Sequence, residues 1–200
     1  MGRGAEEIIS LYRRHAQAWA ARRGTAQPER IWLDRFLDIL PETPGVLDLG
    51  CGSGVPIARY LCGRGCAVTG IDSSPELIGM ARRSVPEASF VVADMRELQL
   101  GDRFDGILAW DSFFHLTRED QRRMFATFAR HAGPGAALMF TSGPENGEAI
   151  GSFEGEPLYH ASLGPEEYRA LLRDHGFETV AHVVEDPDCG GHTIWLAQRR

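Results

Sequence analysis

Hydrophobic positions change their spacing repeatedly between residues 45 and 141. Short apolar runs, typical of buried strands, alternate with segments whose apolar residues recur every three or four positions, as on one face of a helix. The pattern predicts strands at 45–49, 67–71, 89–93, 104–109 and 136–141, and helices at 55–62, 75–83 and 117–131. Strands that alternate with helices indicate βαβ units. We therefore expect an α/β fold with a doubly wound parallel sheet.

Different arrangements are expected on either side of this core. An amphipathic helix is predicted before it, followed by a second helix that begins at Pro28; the apolar face of the first is Ile8, Leu11, Tyr12, His15 and Trp19. After the core, residues 143–157 are predicted to be irregular because they are rich in Gly, Glu and Pro. A helix at 165–175 and strands at 178–184 and 192–197 follow, and the short loop between these strands favours an antiparallel pair.

The chain is expected to form one domain over residues 1–200. Its parts are the N-terminal helices (1–43), the core (44–142) and a final loop, helix and strand pair (143–200). A chain of 200 residues with 43% hydrophobic and 24% charged residues has the profile of one ordinary globular domain.

Composition also predicts where the protein is found. Four irregularly spaced cysteines do not suggest a disulfide framework, and no apolar run approaches the roughly 20 residues of a membrane span. The first residues lack the basic and apolar segments of a secretory signal. We expect a cytoplasmic protein with no membrane partner.

The charged residues exclude lysine chemistry and argue against a nucleic-acid partner. All 21 basic residues are arginine, so a Schiff-base or phosphate-loop lysine is impossible. The net charge is -7 and the arginines are scattered in pairs. Long nucleic acid is therefore not expected as a partner, since binding it normally requires a concentrated basic face.

A glycine-rich turn joins the first predicted strand of the sheet to the helix that follows. It reads Asp48-Leu49-Gly50-Cys51-Gly52-Ser53-Gly54. Glycines allow close approach of the backbone to a ligand, and the following helix offers free N–H groups. Glycine turns after strands are also common without a ligand, so this motif needs support from other residues.

Two further strand ends carry acids that supply this support. Asp72 ends the second strand, where a carboxylate can accept both hydroxyls of a ribose, although it can also serve as a cap for the helix that begins at Pro75. Asp94 ends the third strand and can accept from an exocyclic amine, while Met95 packs on a purine face. Together these residues outline an adenosine with a polar tail at the glycines.

At this point the sequence resembles the class I S-adenosylmethionine-dependent methyltransferases. The resemblance rests on residues 46–54, 70–74, 92–95 and 104–117, and it covers essentially 12–198. It implies a Rossmann-like sheet of seven strands in the order 3-2-1-4-5-7-6, with the last pair antiparallel. We expect the two predicted N-terminal helices to form a lid over the site. The resemblance also implies that the protein transfers a methyl group from S-adenosylmethionine to a small-molecule acceptor and releases S-adenosylhomocysteine.

The resemblance assigns cofactor roles along the chain. Asp48 and the glycine loop would serve the methionine part, Asp72 the ribose, and Asp94 with Met95 the adenine. The full expected cofactor set is Asp48, Gly50, Cys51, Gly52, Asp72, Ser73, Asp94, Met95 and Trp110.

The acceptor is expected over the ends of the fourth and fifth strands. Methyl transfer requires mainly alignment and exclusion of water. Asp111 and His115 are candidate catalytic residues, with His115 as a general base, although a histidine bonded to backbone is an equal alternative. Expected substrate or lid residues are Tyr12, Trp19, Tyr159 and His160.

Other interpretations remain open. A nicotinamide-dependent oxidoreductase is disfavoured because Val55 stands where its third glycine would be, and a protein that binds the cofactor without catalysis is also possible. Cys62 with Cys66, and Asp188-Cys189 with His192, lack the spacing of a structural zinc site, so no metal is expected. The oligomeric state is left open.

Overall fold

The computed structural model describes residues 3–200, with side chains from residue 7 onward. The helices are α1 (Arg3–Arg14), α2 (Ala16–Arg23), α3 (Arg30–Leu37), α4 (Ile57–Gly63), α5 (Pro75–Ser84), α6 (Arg118–His131) and α7 (Pro165–Asp174). The strands are β1 (Gly45–Leu49), β2 (Ala67–Asp72), β3 (Ser89–Val92), β4 (Phe104–Ala109), β5 (Ala132–Ser142), β6 (Gly147–Phe153), β7 (Glu156–Ser162), β8 (Phe177–Asp186) and β9 (His192–Arg199).

Seven strands form the central sheet in the order β3-β2-β1-β4-β5-β9-β8. The five strands from β1 to β5 are parallel, and β9 runs antiparallel to both β5 and β8. Counted within this sheet alone, the order is 3-2-1-4-5-7-6, so the predicted topology is confirmed. The carboxyl ends of β1, β2, β3 and β4 therefore meet at one edge, where ligands bind in such folds.

The two faces of the sheet bury different side chains. Along β4, Ile107 and Ala109 join the core beneath α6 and α7, whereas Leu108 and Trp110 join the core on the other face with α3, α4 and α5. This alternation follows the two-residue period of a strand. Burying each large apolar side chain contributes about 1.5–3 kcal/mol.

Residues 143–157, predicted to be irregular, contribute instead to a hairpin of β6 and β7 outside the central sheet. Its two-residue turn is Glu154-Gly155, with φ of 51° and 79°. Positive φ at both turn positions matches the twist of a hairpin, and glycine takes it readily. Pairing therefore overrides the Gly-rich and Glu-rich composition of this segment.

The first predicted helix is divided at His15 into α1 and α2. The apolar face of α1 packs on β7 in a small cluster away from the main core, formed by Ile8, Leu11, Phe153, Tyr159 and Ala161. His15 Nε2 lies 2.6 Å from Glu156 Oε1, beside the turn of the hairpin. None of the helices within residues 3–200 is long and apolar enough to cross a membrane.

Candidate functional site

A pocket opens at the carboxyl ends of β1 to β4, beneath α1 and α2. Its empty space, which includes open solvent at the mouth, is about 790 Å³. Ten of the residues predicted from the sequence line it: Tyr12, Trp19, Gly50, Gly52, Asp72, Ser73, Asp94, Met95, Asp111 and His115. The pocket therefore brings together the glycine loop, the strand-end acids and the candidate catalytic residues.

The glycine loop adopts a conformation that other residues rarely take. Gly50 and Gly52 have φ of 79° and 55°, and a Cβ at Gly50 would lie 2.3 Å from the Cβ of Ser112. The backbone N–H groups of Gly50 and Cys51 both donate to the Ile71 carbonyl, at 2.7 and 3.0 Å. The loop is thus fixed against the end of β2, with its backbone exposed to the pocket.

Asp72 connects the glycine loop to the end of β2. Its Oδ2 accepts from the Gly52 N–H at 2.9 Å, and its Oδ1 accepts from the Ser74 N–H at 2.8 Å. Burial raises the pKa of this carboxyl, against the effect of the backbone N–H groups. The cap of α5 is Ser74, whose Oγ accepts from Leu77, so Asp72 does not have the N-cap role considered as an alternative.

Asp48 and Cys51 lie behind the loop and do not line the pocket. Asp48 is 2% exposed, and its Oδ2 has no hydrogen-bond partner within the described residues. Burial raises the pKa of this carboxyl to about 7, with Asp72 acting in the same direction and Arg23 opposing. A buried oxygen without a partner is costly, and it suits a cationic group bound at the loop. Cys51 packs in the core, and burial raises its thiol pKa.

Asp94 forms an ion pair with Arg96, which was not predicted as a site residue from the sequence. Its carboxylate accepts from the Arg96 backbone N–H at 2.9 Å and from Arg96 Nη2 at 2.6 Å. Although burial opposes it, these hydrogen bonds lower the pKa of Asp94. Arg96 also lies 3.6 Å from Asp120, and both residues line the pocket. The spacing of Asp94 and Arg96, only two residues apart, was the available signal.

His115 joins the lid to the pocket wall. Its Nδ1 lies 2.8 Å from the Tyr159 carbonyl, so it donates there, and its Nε2 accepts from the Tyr12 hydroxyl at 2.8 Å. Burial lowers the pKa of His115 to about 4. One nitrogen is thus bonded to backbone, as in the structural alternative, while the other faces the pocket, where a base would act. In this arrangement the lone pair of Nε2 accepts the hydrogen bond from the Tyr12 hydroxyl.

Besides Asp48 and Cys51, three predicted site residues lie outside the pocket wall. The Tyr159 ring packs on α1, and only its carbonyl reaches His115. The His160 ring lies 4.8 Å from the His115 ring, behind it. Trp110 continues the alternation of β4 into the core and is 4% exposed, so its side chain points away from the cofactor position expected for it.

Asp111 lines the pocket, whereas its neighbour Trp110 does not. Its φ is 49°, and its Oδ1 lies 2.9 Å from His192 Nε2. In the sequence, His192 was considered only as a candidate metal ligand. No spacing in the sequence predicts its contact with Asp111. Within the described part of the chain, no group of three or more His, Cys, Asp or Glu residues is arranged to hold a metal ion.

Comparison with known proteins identifies the family. Residues 46–135 match the model of a methyltransferase domain. An uncharacterized methyltransferase of Synechocystis, sll0829, is 32% identical over 159 residues, with 72% of each chain covered. A sugar N,N-dimethyltransferase of Saccharopolyspora spinosa, acting on dTDP-4-amino-2,3,4,6-tetradeoxy-D-glucose, is 32% identical over 137 residues, which are 68% of this chain and 52% of that protein. The chain thus spans about half the length of the latter relative.

Solved structures show the same fold. The SAM-bound amino pentose methyltransferase CalS10 of Micromonospora echinaspora superposes with a TM-score of 0.72 at 20% identity. The match covers 92% of this chain and 96% of that one. The sheet order, the glycine loop and the strand-end acids agree with these similarities. The chain belongs to the class I S-adenosylmethionine-dependent methyltransferases.

Proposed function

We propose that the protein transfers a methyl group from S-adenosylmethionine to a small-molecule acceptor and releases S-adenosylhomocysteine. The observation that carries this proposal is the meeting of the glycine loop, Asp72 and Asp94 in one pocket with Asp111 and His115. Three strand ends thus offer contacts for one adenosine and its tail. The relatives named above are methyltransferases, and one of them acts on an amino sugar.

The residues present fit the cofactor. Asp72 would accept the ribose hydroxyls, and Asp94 would accept the adenine amine beside Met95. The ammonium group of the methionine tail would lie over Gly50 and Gly52, and Asp48 behind the loop would favour it by its charge and not by direct contact. When bound, S-adenosylmethionine supplies an electrophilic methyl group on a sulfonium.

The protein contributes alignment and a dry site. An electron pair of the acceptor attacks the methyl carbon in line, the carbon–sulfur bond breaks towards sulfur, and an acceptor that carries a proton loses it. Tyr12 and Trp19 cover the pocket and exclude water. For His115 to take the proton, its Nε2 must exchange the Tyr12 hydroxyl for the acceptor, so base catalysis requires the Tyr12 side chain to move.

A compact acceptor fits this site best. We propose that the protein acts on it in the cytoplasm. The helices α1 and α2 cover the pocket, and Arg96 is the one basic side chain on its wall among the described residues, already bonded to Asp94. Such a wall offers little to a polynucleotide. We place the whole activity in one domain over residues 1–200.

Transfer of an isotopically labelled methyl group tests the proposal. The protein is incubated with S-adenosylmethionine labelled in its methyl group and a small-molecule extract of cells. Mass spectrometry is expected to find the label in a small molecule, with one S-adenosylhomocysteine formed for each methyl transferred. Label that stays in S-adenosylmethionine across varied extracts, although the protein binds it, would instead favour a non-catalytic binding protein.

A further inference from the structure

Asp111 occupies a strained position at the acceptor side of the pocket. It follows β4 directly with a φ of 49°, and its backbone N–H donates to Thr141 Oγ1 on β5 at 2.9 Å. A positive φ at a residue other than glycine is uncommon and is maintained only by surrounding contacts. The carboxylate of Asp111 faces the pocket as a result.

His192, at the start of β9, holds one oxygen of that carboxylate. Its Nε2 lies 2.9 Å from Asp111 Oδ1, and its Nδ1 lies 2.6 Å from the Cys189 carbonyl. Both partners are acceptors, so both ring nitrogens must carry protons to form these two hydrogen bonds. The geometry therefore requires an imidazolium at His192.

The surroundings of His192 favour this charge. The ring lies 5.3 Å from the ring of Trp110, close enough for a cation–π contact. Glu29, buried at the start of α3 and paired with Arg23, is a further negative group near the ring. The hydrogen bond with Asp111 is the largest cause of a raised pKa for His192, and burial opposes it. Trp110, which does not reach the cofactor site, thus has a place in the structure as the neighbour of this histidine.

The second oxygen of Asp111 is available to a ligand. Among the residues that the structure describes, Oδ2 of Asp111 has no hydrogen-bond partner, and the side chain is 35% exposed on the pocket wall. A carboxylate accepts hydrogen bonds and does not donate them. It therefore favours an acceptor that presents an O–H or N–H group, and it repels one that presents a carboxylate or a phosphate.

We propose that His192 is a positioning residue, which as an imidazolium holds Asp111 so that the free oxygen binds an alcohol or amine acceptor. This inference rests on the proposed methyl transfer. His192 does not touch the acceptor, and it acts through Asp111. The same pair selects against acidic acceptors, because the rest of the wall adds Asp72, Asp94 and Asp120 and only the already bonded Arg96.

A spectroscopic experiment tests the pair without any acceptor. The histidine rings are labelled with ¹³C and titrated by NMR in the wild type and in Asp111→Asn. We expect His192 to remain protonated to a higher pH in the wild type than a free histidine, and its titration midpoint to fall in Asp111→Asn. An identical His192 midpoint in both proteins would overturn the ion pair, whether or not the protein transfers methyl groups.

Activity variants test the positioning role. His192→Phe keeps a ring against Trp110 but removes the donor to Asp111, whereas His192→Gln keeps an N–H in the place of Nε2. With methyl-labelled S-adenosylmethionine and the extract that serves the wild type, we expect His192→Phe to transfer about tenfold to a hundredfold less and His192→Gln to recover most of the rate. Both should bind S-adenosylhomocysteine like the wild type. Equal transfer by His192→Phe and the wild type, or equal loss in the two variants, would refute positioning.

The labelled product tests the acceptor class. A methylated alcohol or amine keeps its label in mild base, whereas a methyl ester, formed from a carboxylate, releases it as methanol. Stable label is the expected result, and base-labile label would overturn the selection by Asp111. If the wild type transfers no label to any acceptor, the proposed function fails, and the NMR titration alone decides on the His192–Asp111 pair.

Discussion

The ring of Trp19 on α2 occupies the space directly in front of Gly52. A Cβ at Gly52 would lie 2.3 Å from Cη2 of Trp19, far inside van der Waals contact. The lid helix and the glycine loop therefore touch, and the contact exists only because position 52 has no side chain. This contact places the N-terminal helices over the proposed methionine end of the cofactor site.

Gly52→Ala should weaken the binding of S-adenosylhomocysteine by about tenfold or more. The added methyl would strain a backbone at φ 55° and displace Trp19 from its place over the loop. Gly65→Ala is the matched control, because φ there is 89° and a Cβ would meet nothing within 4 Å. Calorimetry should find unchanged affinity in Gly65→Ala. Equal affinities in the two variants would show that the loop does not approach the ligand.

Asp72→Ala should weaken the binding of S-adenosylhomocysteine by about 1.5–3 kcal/mol, the value of charge-assisted hydrogen bonds to the ribose. The variant also removes a carboxylate–backbone hydrogen bond, the one from the Gly52 N–H. Asp105→Ala is the control for losing such a bond away from the pocket, since Asp105 Oδ2 accepts from the Gly45 N–H at 2.9 Å. A folded Asp72→Ala protein that binds as tightly as Asp105→Ala does would contradict the ribose assignment.

The sheet was predictable because its signals are local. Each parallel strand is a short apolar run, and the glycines at 50, 52 and 54 mark the turn that adopts positive φ. The β6–β7 hairpin was missed because β6 is almost fully exposed, so it lacks the apolar alternation of a half-buried strand. The Glu154-Gly155 turn was the only local signal, and it is weaker than Asn-Gly or Asp-Gly.

The site was predictable where a residue acts from a strand end and not where it acts through a distant partner. Asp72 and Asp94 line the pocket as expected. The sequence does not indicate that Trp110 turns into the core while Asp111 turns outward, because this depends on the strained backbone of Asp111. Nor does it indicate that His192, 81 residues later, meets Asp111. Such pairs depend on the antiparallel placement of β9 beside β5.

The burial of His115 should make the fold less stable in mild acid. Its pKa is about 4 in the folded protein and about 6.5 when unfolded. Below about pH 6.5 the unfolded chain therefore binds a proton that the folded protein does not. This histidine should lower the free energy of unfolding by about 3 kcal/mol as the pH falls from about 6.5 to about 4.

Urea unfolding of the wild type and His115→Asn at a series of pH values isolates this effect. The variant keeps a donor to the Tyr159 carbonyl but cannot be protonated. Its stability should fall less steeply than that of the wild type between about pH 6.5 and about pH 4. Parallel stability curves for the two proteins would show that His115 is not buried as a neutral ring.

The hydrogen bond from the Tyr12 hydroxyl to His115 should hold α1 over the pocket. Removing the hydroxyl in Tyr12→Phe loses this bond, worth about 0.5–1.5 kcal/mol. Amide exchange over residues 8–19 should then become roughly twofold to tenfold faster in the free protein. Tyr60→Phe is the control, since Tyr60 donates to Asp34 away from the pocket.

In the wild type, exchange over residues 8–19 should slow when S-adenosylhomocysteine binds. Unchanged exchange with ligand would argue against a lid.

Binding of S-adenosylmethionine, compared with NAD in the same calorimetric titration, tests the assignment of the pocket most directly. We expect one S-adenosylmethionine to bind per chain and to be displaced by S-adenosylhomocysteine, and NAD not to bind. Binding of NAD, with no heat from S-adenosylmethionine, would contradict the account and favour a nicotinamide-dependent oxidoreductase.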